Sequence, residues 1–506
     1  MLKLIIILYL LYSLRLCECS HILVVFPVPE NRHGVLSDSL VKLLLDDGHK
    51  VVTYVTQFPR ETRVHNLKYV DISSKDHSDE EDWINTANDT LPMEIFGLQY
   101  AQRALKHPNM QELIMNTTIS FDLVIAEWYY SGLLAPISAL YDCPFIWYSA
   151  TDVSWKSLSL VNSEVSTFPP SSRGLSIIER VLRMWSQLRV IFWNYYHVAS
   201  KELPAYEQIF REAFEVRREA LPNYETLVYN SSLLFINSHP LLSNIPALPM
   251  NAKYIGSHHI EATTPHFPKN LKKLMDESID GVIYVDLATN LINENIQEDI
   301  LQQIIEAFGQ IKQTVIWKYD EILVNIPKNL YTIKKPPQQS ILNHVNTIAF
   351  INHGDMLSII EAAYHGVPVI GIPITEDQIS NIDILAQREY GIKVDYNTEL
   401  SSKVVDAIDT IAEDKSYRVK SREAKEILRN RLTSPQEELQ YWVKMIIQTH
   451  GATHLRSPTL KISTLERYNL DIALLIMLLF WFLTKVVKVI EVHFCSSNDD
   501  LIKKDL

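Results

Sequence analysis

The sequence contains few glycines, few cysteines and no excess of positive charge. Glycine contributes 13 of the 506 residues and cysteine 4, whereas about 7% of an average protein is glycine. The formal net charge is −13, which argues against a nucleic-acid partner, because such proteins need a clustered basic face. With 47% hydrophobic and 21% charged residues, the chain has a globular composition and is long enough for about two or three domains.

Residues 1–20 have the pattern of a secretory signal peptide. Lys3 supplies a positively charged start, an apolar core runs from Leu4 to Leu11, and small residues follow between Cys17 and Ser20. A buried first strand with an unusual leader is the alternative. Cleavage at the end of this segment would leave two cysteines in the mature chain, Cys143 and Cys495.

A second apolar segment, Ile472 to Ile490, is interrupted only by Thr484, Lys485 and Lys488. As a helix rising about 1.5 Å per residue it would extend roughly 28 Å, which is close to the thickness of the hydrocarbon layer. The two lysine side chains are long enough to reach the interface. We therefore predict a transmembrane helix at 472–490, with a buried core helix as the alternative.

Together these segments predict a single-pass type I protein of the endoplasmic reticulum membrane, with its body in the lumen. Residues 491–506 would form a cytosolic tail, in which Lys503 and Lys504 resemble a dilysine retrieval signal. Because Cys143 and Cys495 would lie on opposite sides of the membrane, we expect no structural disulfide. Three sequons for N-glycosylation fit a luminal body: Asn88, Asn116 and Asn230.

Strands and helices alternate in two series along the chain. The first has strands at 21–26, 50–55, 121–126 and 144–148 and a helix at 34–47. The second has strands at 281–287, 314–318, 330–334, 347–351 and 367–373 and helices at 296–309 and 356–365. Each series opens on a turn of a size that suits a phosphate. We therefore predict an α/β protein in which two Rossmann-like domains face each other across a cleft.

The stretch 257–270, rich in proline and histidine, is the natural linker between the two series. It separates an N-terminal domain, 21–256, from a C-terminal domain, 271–450. Residues 150–225 are polar, aromatic and helical in period, as expected of an elaboration that shapes a pocket. Residues 451–471 would form a pre-membrane segment.

Residues 350–378 carry the most information about function. An apolar strand runs into His353 and Gly354, and a helix opens just after them. A strand-to-helix turn aims backbone N–H groups and the positive end of the helix dipole at one point, which suits a phosphate. A second buried strand then delivers polar side chains that can bind sugar hydroxyls at its carboxyl end: Glu376, Asp377 and Gln378.

This segment resembles the signature of the UDP-glycosyltransferases, the family that transfers a sugar from a UDP-sugar to small lipophilic acceptors. An ordinary βαβ unit is the alternative. Seven positions match the family pattern at the right spacing: His353, Gly354, Glu361, Pro368, Pro373, Asp377 and Gln378. The resemblance covers nearly the whole chain and implies the GT-B fold, with the acceptor bound by the first domain and the donor by the second.

The resemblance implies a catalytic pair in the N-terminal domain. His33 follows the first strand, where the family has its catalytic histidine, and an imidazole suits a general base because its pKa lies near neutrality. Glu127 follows the strand 121–126, where the family has an aspartate. Its carboxylate would orient the imidazole and stabilise the protonated form.

In the C-terminal domain the resemblance implies a donor site. His353 would bind the diphosphate, Glu361 the ribose and Gln338 the uracil, while Asp377 and Gln378 would hold the transferred sugar. The implied donor-binding residues are Thr289, Gln338, His353, Gly354, Glu361, Asp377 and Gln378. No metal and no cofactor beyond the UDP-sugar co-substrate is implied.

Four positions depart from the family pattern near the donor: Asp286, Ala288, Lys335 and Asp355. Lys335 replaces a tryptophan that stacks on uracil, a contact worth about 1–3 kcal/mol. Asp355 replaces the second glycine of His-Gly-Gly, and at ~5 Å and an effective dielectric of ~20 its carboxylate would oppose the diphosphate by roughly 3 kcal/mol. Asp286 and Ala288 replace a serine and a glycine, in keeping with the scarcity of glycine.

The sequence therefore predicts an inverting UDP-dependent hexosyltransferase, with UDP-glucose as the expected donor and a small lipophilic acceptor. One alternative is a catalytically weakened or inactive membrane-anchored homologue that binds lipophilic molecules. Another is a soluble secreted carrier, which requires that 472–490 does not insert into a membrane. The sequence leaves open the acceptor, the choice between glucose and glucuronate, and whether the protein forms a homo- or hetero-oligomer.

Overall fold

The computed structural model describes residues 20–49, 51–59, 64–73, 93–162, 200–245, 247–261, 267–287, 298–320, 326–397, 399–457 and 470–502, with isolated positions at 176–178, 181–182, 185, 196 and 323. Several predicted features lie outside the described residues: the leader up to residue 19, the sequon at Asn88, Ala288 and Thr289, and the dilysine tail.

The N-terminal domain is built on a seven-stranded parallel sheet of order β3-β2-β1-β4-β5-β6-β7. Its strands are β1 (His21–Phe26), β2 (Val51–Thr56), β3 (Leu67–Asp71), β4 (Leu123–Glu127), β5 (Phe145–Ser149), β6 (Leu233–Ile236) and β7 (Ala252–Tyr254). Its helices are α1 (Asn31–Asp46), α2 (Met93–Lys106), α3 (Pro108–Met115), α4 (Pro136–Leu140), α5 (Trp155–Ser159), α6 (Ser200–Val216) and α7 (Tyr224–Val228).

Continuous apolar runs explain this sheet. Every residue of β4 is buried, as expected of a parallel strand that is covered by helices on both faces. In α1 the side chains of Leu36, Leu40 and Leu44 recur at a spacing of four residues and are buried, so one face of the helix packs on the sheet. The strand at 123–127 ends one residue later than predicted, and Glu127 is therefore its last residue.

The C-terminal domain repeats the plan with a six-stranded parallel sheet of order β10-β9-β8-β11-β12-β13. Its strands are β8 (Val282–Asp286), β9 (Thr314–Lys318), β10 (Leu330–Ile333), β11 (Thr347–Asn352), β12 (Val369–Gly371) and β13 (Gly391–Lys393). Its helices are α8 (Lys269–Glu277), α9 (Glu298–Gln310), α10 (Gln338–Leu342), α11 (Met356–His365), α12 (Glu376–Gln387), α13 (Leu400–Glu413), α14 (Lys415–Arg429) and α15 (Pro435–Gln448). Two parallel sheets with flanking helices confirm the predicted α/β architecture.

The order of strands reverses at one point in each sheet, between β1 and β4 and between β8 and β11. In open α/β sheets, ligands bind outside the carboxyl ends of the strands at such a switch point. The segments that follow these four strands are therefore the places where a functional site is expected.

Helix α15 belongs to the C-terminal part of the chain but packs on the N-terminal sheet. Leu439, Val443 and Ile446 are fully buried in a cluster that also contains Ile22 and Leu40. The predicted domain boundaries, including the end of the second domain at 450, stay a prediction. What the packing establishes is that the last helix of the globular body completes the core of the first domain.

The segment predicted to span a membrane lies in helix α16 (Leu470–Ile502). Within the residues that the structure describes, a search found no helix with both the length and the apolar character needed to cross a bilayer. The predicted transmembrane helix at 472–490 is therefore not confirmed.

Replacing Leu439 by alanine should destabilise the full chain, because the truncated side chain leaves a cavity in the core that α15 shares with the first sheet. We expect a loss of about 2–5 kcal/mol in the free energy of unfolding, measured by urea denaturation. Gln448→Ala, at an exposed position of the same helix, should change it by less than about 0.5 kcal/mol. Equal effects of the two substitutions would contradict the packing described.

Candidate functional site

Residues that follow the switch-point strands of both sheets meet across the interface between the domains. Arg32, in the first turn of α1, donates a hydrogen bond to Nε2 of His353, which follows β11. Its Nη1 also lies 3.6 Å from Oδ2 of Asp355. The carboxyl-end edges of the two sheets therefore face each other, at the place where the sequence predicts the cleft.

His33 and Glu127 form a buried pair at the N-terminal edge of this cleft. Because β1 and β4 are neighbouring parallel strands, the turn after β1 lies beside the end of β4. The side chain of His33 is 9% exposed and that of Glu127 is fully buried, and Nδ1 of the imidazole contacts Oε1 of the carboxylate. A carboxylate only accepts hydrogen bonds, so Nδ1 carries the proton and Nε2 is the nitrogen that can take another.

The electrostatic surroundings favour the protonated form of His33. Burial lowers the pKa of the imidazole, but the charge and hydrogen bond of Glu127, together with the charge of Glu30, outweigh burial and raise this pKa from 6.5 to about 9. Oε2 of Glu30 lies 3.8 Å from Nε2 of His33. At neutral pH the imidazole is therefore mostly protonated, and the fraction of His33 that can accept a proton rises as the pH approaches 9.

The turn at 353–355 requires glycine at its centre. Gly354 has a φ of +102°, and a Cβ atom there would lie 3.0 Å from the carbonyl oxygen of Gln378 and 2.9 Å from Cγ1 of Ile382. Any other residue would be strained in this backbone conformation. The turn thus brings the backbone of β11 close to the start of α12.

Asp355 is the N-cap of helix α11. Its Oδ1 accepts a hydrogen bond from the backbone N–H of Ser358 at 2.9 Å, and its Oδ2 accepts one from Nδ2 of Asn352 at 3.1 Å. Burial would raise the pKa of this carboxyl group, but Arg32 and His353 lower it well below its usual value. The sequence predicted a carboxylate that opposes a diphosphate; the structure adds that this charge is paired across the cleft.

Two N–H groups that could bind a phosphate are hydrogen-bonded to side chains of the chain itself. The N–H of Ser358 donates to Asp355, and the N–H of Gly354 donates to Oδ1 of Asn352 at 2.6 Å. His353 is 1% exposed, and burial followed by the charge of Arg32 lowers the pKa of its imidazole. His353 is therefore neutral at physiological pH, with Nε2 accepting from Arg32 and the ring proton on Nδ1.

The second acid predicted near the phosphates is also paired with a cation. Asp286 ends β8, and its Oδ2 accepts from Nζ of Lys318 at 3.1 Å. Burial raises the pKa of Asp286, while Lys318 and Arg32 act in the opposite direction. Among the described residues, no group of three or more histidine, cysteine, aspartate and glutamate side chains is arranged to hold a metal ion.

The residues implied in ribose and uracil binding come together around Glu361, which is 3% exposed. Its two oxygens accept from Nε2 of Gln338 at 2.7 Å and from Nε2 of Gln339 at 3.0 Å. The hydroxyl of Tyr284 donates to Oε1 of Gln338 at 3.0 Å. Lys335 is exposed, and among the described residues we find no contact between it and the cluster around Glu361.

Asp377 and Gln378 occupy the first turn of α12, after β12. Oε1 of Gln378 accepts from the N–H groups of Ile374 at 3.0 Å and Thr375 at 3.2 Å, and Oδ1 of Asp377 accepts from the hydroxyl of Thr375 at 2.6 Å. Burial raises the pKa of Asp377, and Glu30 of the opposite domain acts in the same direction. The two domains therefore bring acidic groups to the same part of the cleft.

The roles assigned to these residues stay predictions, although the structure brings most of them to one cleft. The sequons at Asn116 and Asn230 lie elsewhere, and the side chain of Asn230 accepts from Arg456. Sequence reasoning gave no role to Arg32, and it took Asn352 only as a mild replacement of a threonine in the family pattern. The only sequence signal for Arg32 was its position next to His33, which places it at the same switch point.

Comparison with known proteins gives a family match. The model of the family described as UDP-glucoronosyl and UDP-glucosyl transferase matches residues 130–503. The chain is 26% identical over 510 residues to UDP-glucosyltransferase 2 of Dactylopius coccus, covering 96% of each chain. It is 27% identical over 365 residues to UDP-glucuronosyltransferase 2B10 of Homo sapiens, covering 70% of this chain and 66% of the relative.

Among solved structures, the calicheamicin glycosyltransferase CalG4 superposes with a TM-score of 0.56 at 16% identity, over 85% of this chain and 99% of that one. At this identity the likeness shows the fold alone. That fold is GT-B, with two Rossmann-like domains built on parallel sheets.

The stability of the protein should depend on pH through His33 and Glu127. The pKa of His33 is raised from 6.5 to about 9 in the folded state. Its contribution to the free energy of unfolding is therefore complete below pH ~6.5 and is lost as the pH rises to about 9. At about 1.4 kcal/mol per pH unit the loss is roughly 3 kcal/mol. Urea denaturation of the full chain across this range measures it.

Glu127→Gln is the control for this dependence. The substitution removes the main cause that raises the pKa of His33 and leaves burial, which lowers it. The variant should therefore lose stability as the pH falls through ~6.5, whereas the native chain loses stability as the pH rises. A variant with the same pH dependence as the native chain would show that the pair is not responsible.

Proposed function

This chain belongs to the UDP-glucoronosyl and UDP-glucosyl transferase family, and on that premise we propose that it transfers glucose from UDP-glucose to a hydroxyl group of a small lipophilic acceptor. It is a UDP-dependent hexosyltransferase, and the UDP-sugar is a co-substrate rather than a cofactor. The choice of glucose is supported by a glucosyltransferase relative that aligns over 96% of the chain. The observation that carries the proposed chemistry is the buried contact between His33 and Glu127 at the edge of the cleft.

In the proposed mechanism, Nε2 of His33 takes the proton of the acceptor hydroxyl while the oxygen attacks the anomeric carbon of the sugar. The bond from that carbon to the diphosphate breaks on the opposite face, so the configuration inverts. Glu127 keeps Nδ1–H in place and stabilises the imidazolium that forms. The negative charge that develops on the diphosphate faces the start of α11, where the helix dipole favours an anion although the N–H groups of Gly354 and Ser358 donate to side chains of the chain itself.

Aromatic side chains beside His33 support a lipophilic acceptor. The ring of Tyr129 lies edge-on to the imidazole with centroids 5.5 Å apart. Tyr130 and Tyr100 pack against Tyr129 at 5.5 Å and 6.0 Å. Such a wall offers apolar contact area to the acceptor next to the base.

The alternative function, a weakened or inactive homologue that binds lipophilic molecules, finds no support in the comparisons. The matched relatives carry the names of transferases, with glucosyl, glucuronosyl and galactosyl transfer among them. The paired charges of Asp286 and Asp355 also remove part of the repulsion on which that alternative depended.

We further propose that the protein is anchored in the endoplasmic reticulum membrane with its body in the lumen. The proposal rests on the sequence and on helix α16, where the side chains from Leu474 to Leu483 are large, apolar and exposed. Alkaline carbonate extraction of membranes from expressing cells tests it: the full chain should stay in the pellet. A chain truncated before Leu470 should be released, and release of both chains would contradict the anchor.

The proposed function is tested by incubating the full chain with labelled UDP-glucose, UDP-glucuronate and UDP-galactose and a panel of phenols and steroids. We expect glucose transfer, and His33→Gln should lower it by at least about a hundredfold, the usual contribution of a general base. His49→Gln is the matched control, because His49 is also buried but lies before β2, at the opposite edge of the sheet. Transfer should also rise with pH toward about 9, the pKa of His33.

Two outcomes would contradict this function. Absence of transfer from every UDP-sugar would remove the assignment as an enzyme. Transfer that survives His33→Gln would leave the enzyme but exclude His33 as its base.

A further inference from the structure

We propose that Arg32 is an additional donor-binding residue, which is held in the cleft by Asp355 and pairs with the diphosphate when the donor binds. The proposal rests on the proposed function, because it names a further residue of the same site. Its basis is the position of a guanidinium from the acceptor-binding domain directly on the phosphate turn of the other domain.

The geometry puts Arg32 at the point where the diphosphate is expected. Its Nη1 donates to Nε2 of His353 and lies 3.6 Å from Oδ2 of Asp355, and its side chain is 22% exposed. His353 and Asp355 are themselves 3.5 Å apart. A phosphate placed at this turn would therefore meet the N–H donors of the guanidinium at once.

The charges of the turn require a cation for an anionic ligand. Asp286 and Asp355 bring two carboxylates to this end of the sheet, and Lys318 is paired with Asp286. The N–H groups of Gly354 and Ser358 already donate to side chains. A diphosphate would thus meet a helix end at which these N–H groups are already hydrogen-bonded. The guanidinium of Arg32 is therefore the group that offsets the added negative charge.

A guanidinium is suited to exchange one partner for another. It has five N–H donors, and its planar fork matches two oxygens of a phosphate. The contacts above use Nη1 of Arg32. Because Asp355 caps α11 through Oδ1 and faces Arg32 through Oδ2, Arg32 can move from Oδ2 to a phosphate oxygen without breaking the cap.

The exchange also couples donor binding to the catalytic base. Arg32 and His33 are consecutive residues in the first turn of α1, so a diphosphate that holds Arg32 also fixes the position of His33 relative to the sugar. In this arrangement Asp355 keeps the guanidinium in the cleft before the donor arrives. Arg32 is thus a donor-binding group, and Asp355 is the residue that positions it.

The test measures the affinities for UDP and for uridine by calorimetric titration of the full chain. Arg32→Gln alone would leave the carboxylate of Asp355 without its cation, so the decisive comparison is made in the Asp355→Asn background. Asparagine keeps the N-cap hydrogen bond but carries no charge. We expect Asp355→Asn to bind UDP about tenfold more tightly than the native chain, because the opposing charge is gone.

Adding Arg32→Gln to Asp355→Asn should weaken UDP binding by at least about tenfold, the loss of one charge-assisted hydrogen bond. Uridine binding should not change, which also shows that the variant is folded. Arg388→Gln is the matched control: Arg388 also crosses the domain interface, donating to the carbonyl of Ser243 at 3.1 Å, but it lies away from the phosphate turn. This variant should keep the native ratio of UDP to uridine affinity.

Equal UDP affinity of Asp355→Asn and the double variant would overturn the inference and reduce Arg32 to a structural partner of Asp355. An equal loss of UDP affinity in Arg388→Gln would also overturn the inference, because weakening any contact between the domains would then lower UDP affinity to the same extent. If the native chain binds no UDP at all, the proposed function itself fails, and this result is distinct from the other two.

Discussion

The contact between Arg32 and the turn at 353–355 is the interaction on which the rest of the site depends. It joins the first helix of one domain to the phosphate-type turn of the other, and it thereby brings two separate sheet edges into one cleft. The contact lies between the His33–Glu127 pair of one domain and the polar residues around Glu361 of the other. In the function proposed above, it therefore stands between the base and the leaving group.

Topology explains why these few side chains are sufficient. Both sheets reverse their strand order beside the functional residues, and at a reversal neighbouring loops diverge and leave a crevice. His33 and Glu127 flank the crevice of the first sheet, and Asp286 and His353 flank that of the second. In the function proposed above, hydrogen-bond donors and a histidine base at this point supply the expected chemistry.

Much of this arrangement could be predicted from the sequence. The resemblance implied that the carboxylate of Glu127 orients His33, and the structure brings the two side chains together. It assigned Gln338 to the uracil and Glu361 to the ribose, and the structure adds that these two side chains are hydrogen-bonded. The pairing of Asp355 with Arg32 could not be predicted from the sequence, because it joins residues 323 positions apart through the packing of two domains. The pairing of Asp286 with Lys318 was missed for the same reason: it depends on the order of β8 and β9 in the sheet, not on spacing along the chain.

Helix α15 has a mechanical consequence. The chain passes from the first domain to the second after Ile260 and returns before α15, and the two passages touch: Arg431 donates to the carbonyl of Gly256 at 3.0 Å, and Gln436 to that of His258 at 3.0 Å. Side-chain hydrogen bonds therefore tie the returning passage to the outgoing one at the line where the chain crosses between the lobes. Any displacement of one lobe against the other that separates the two passages must first break these bonds.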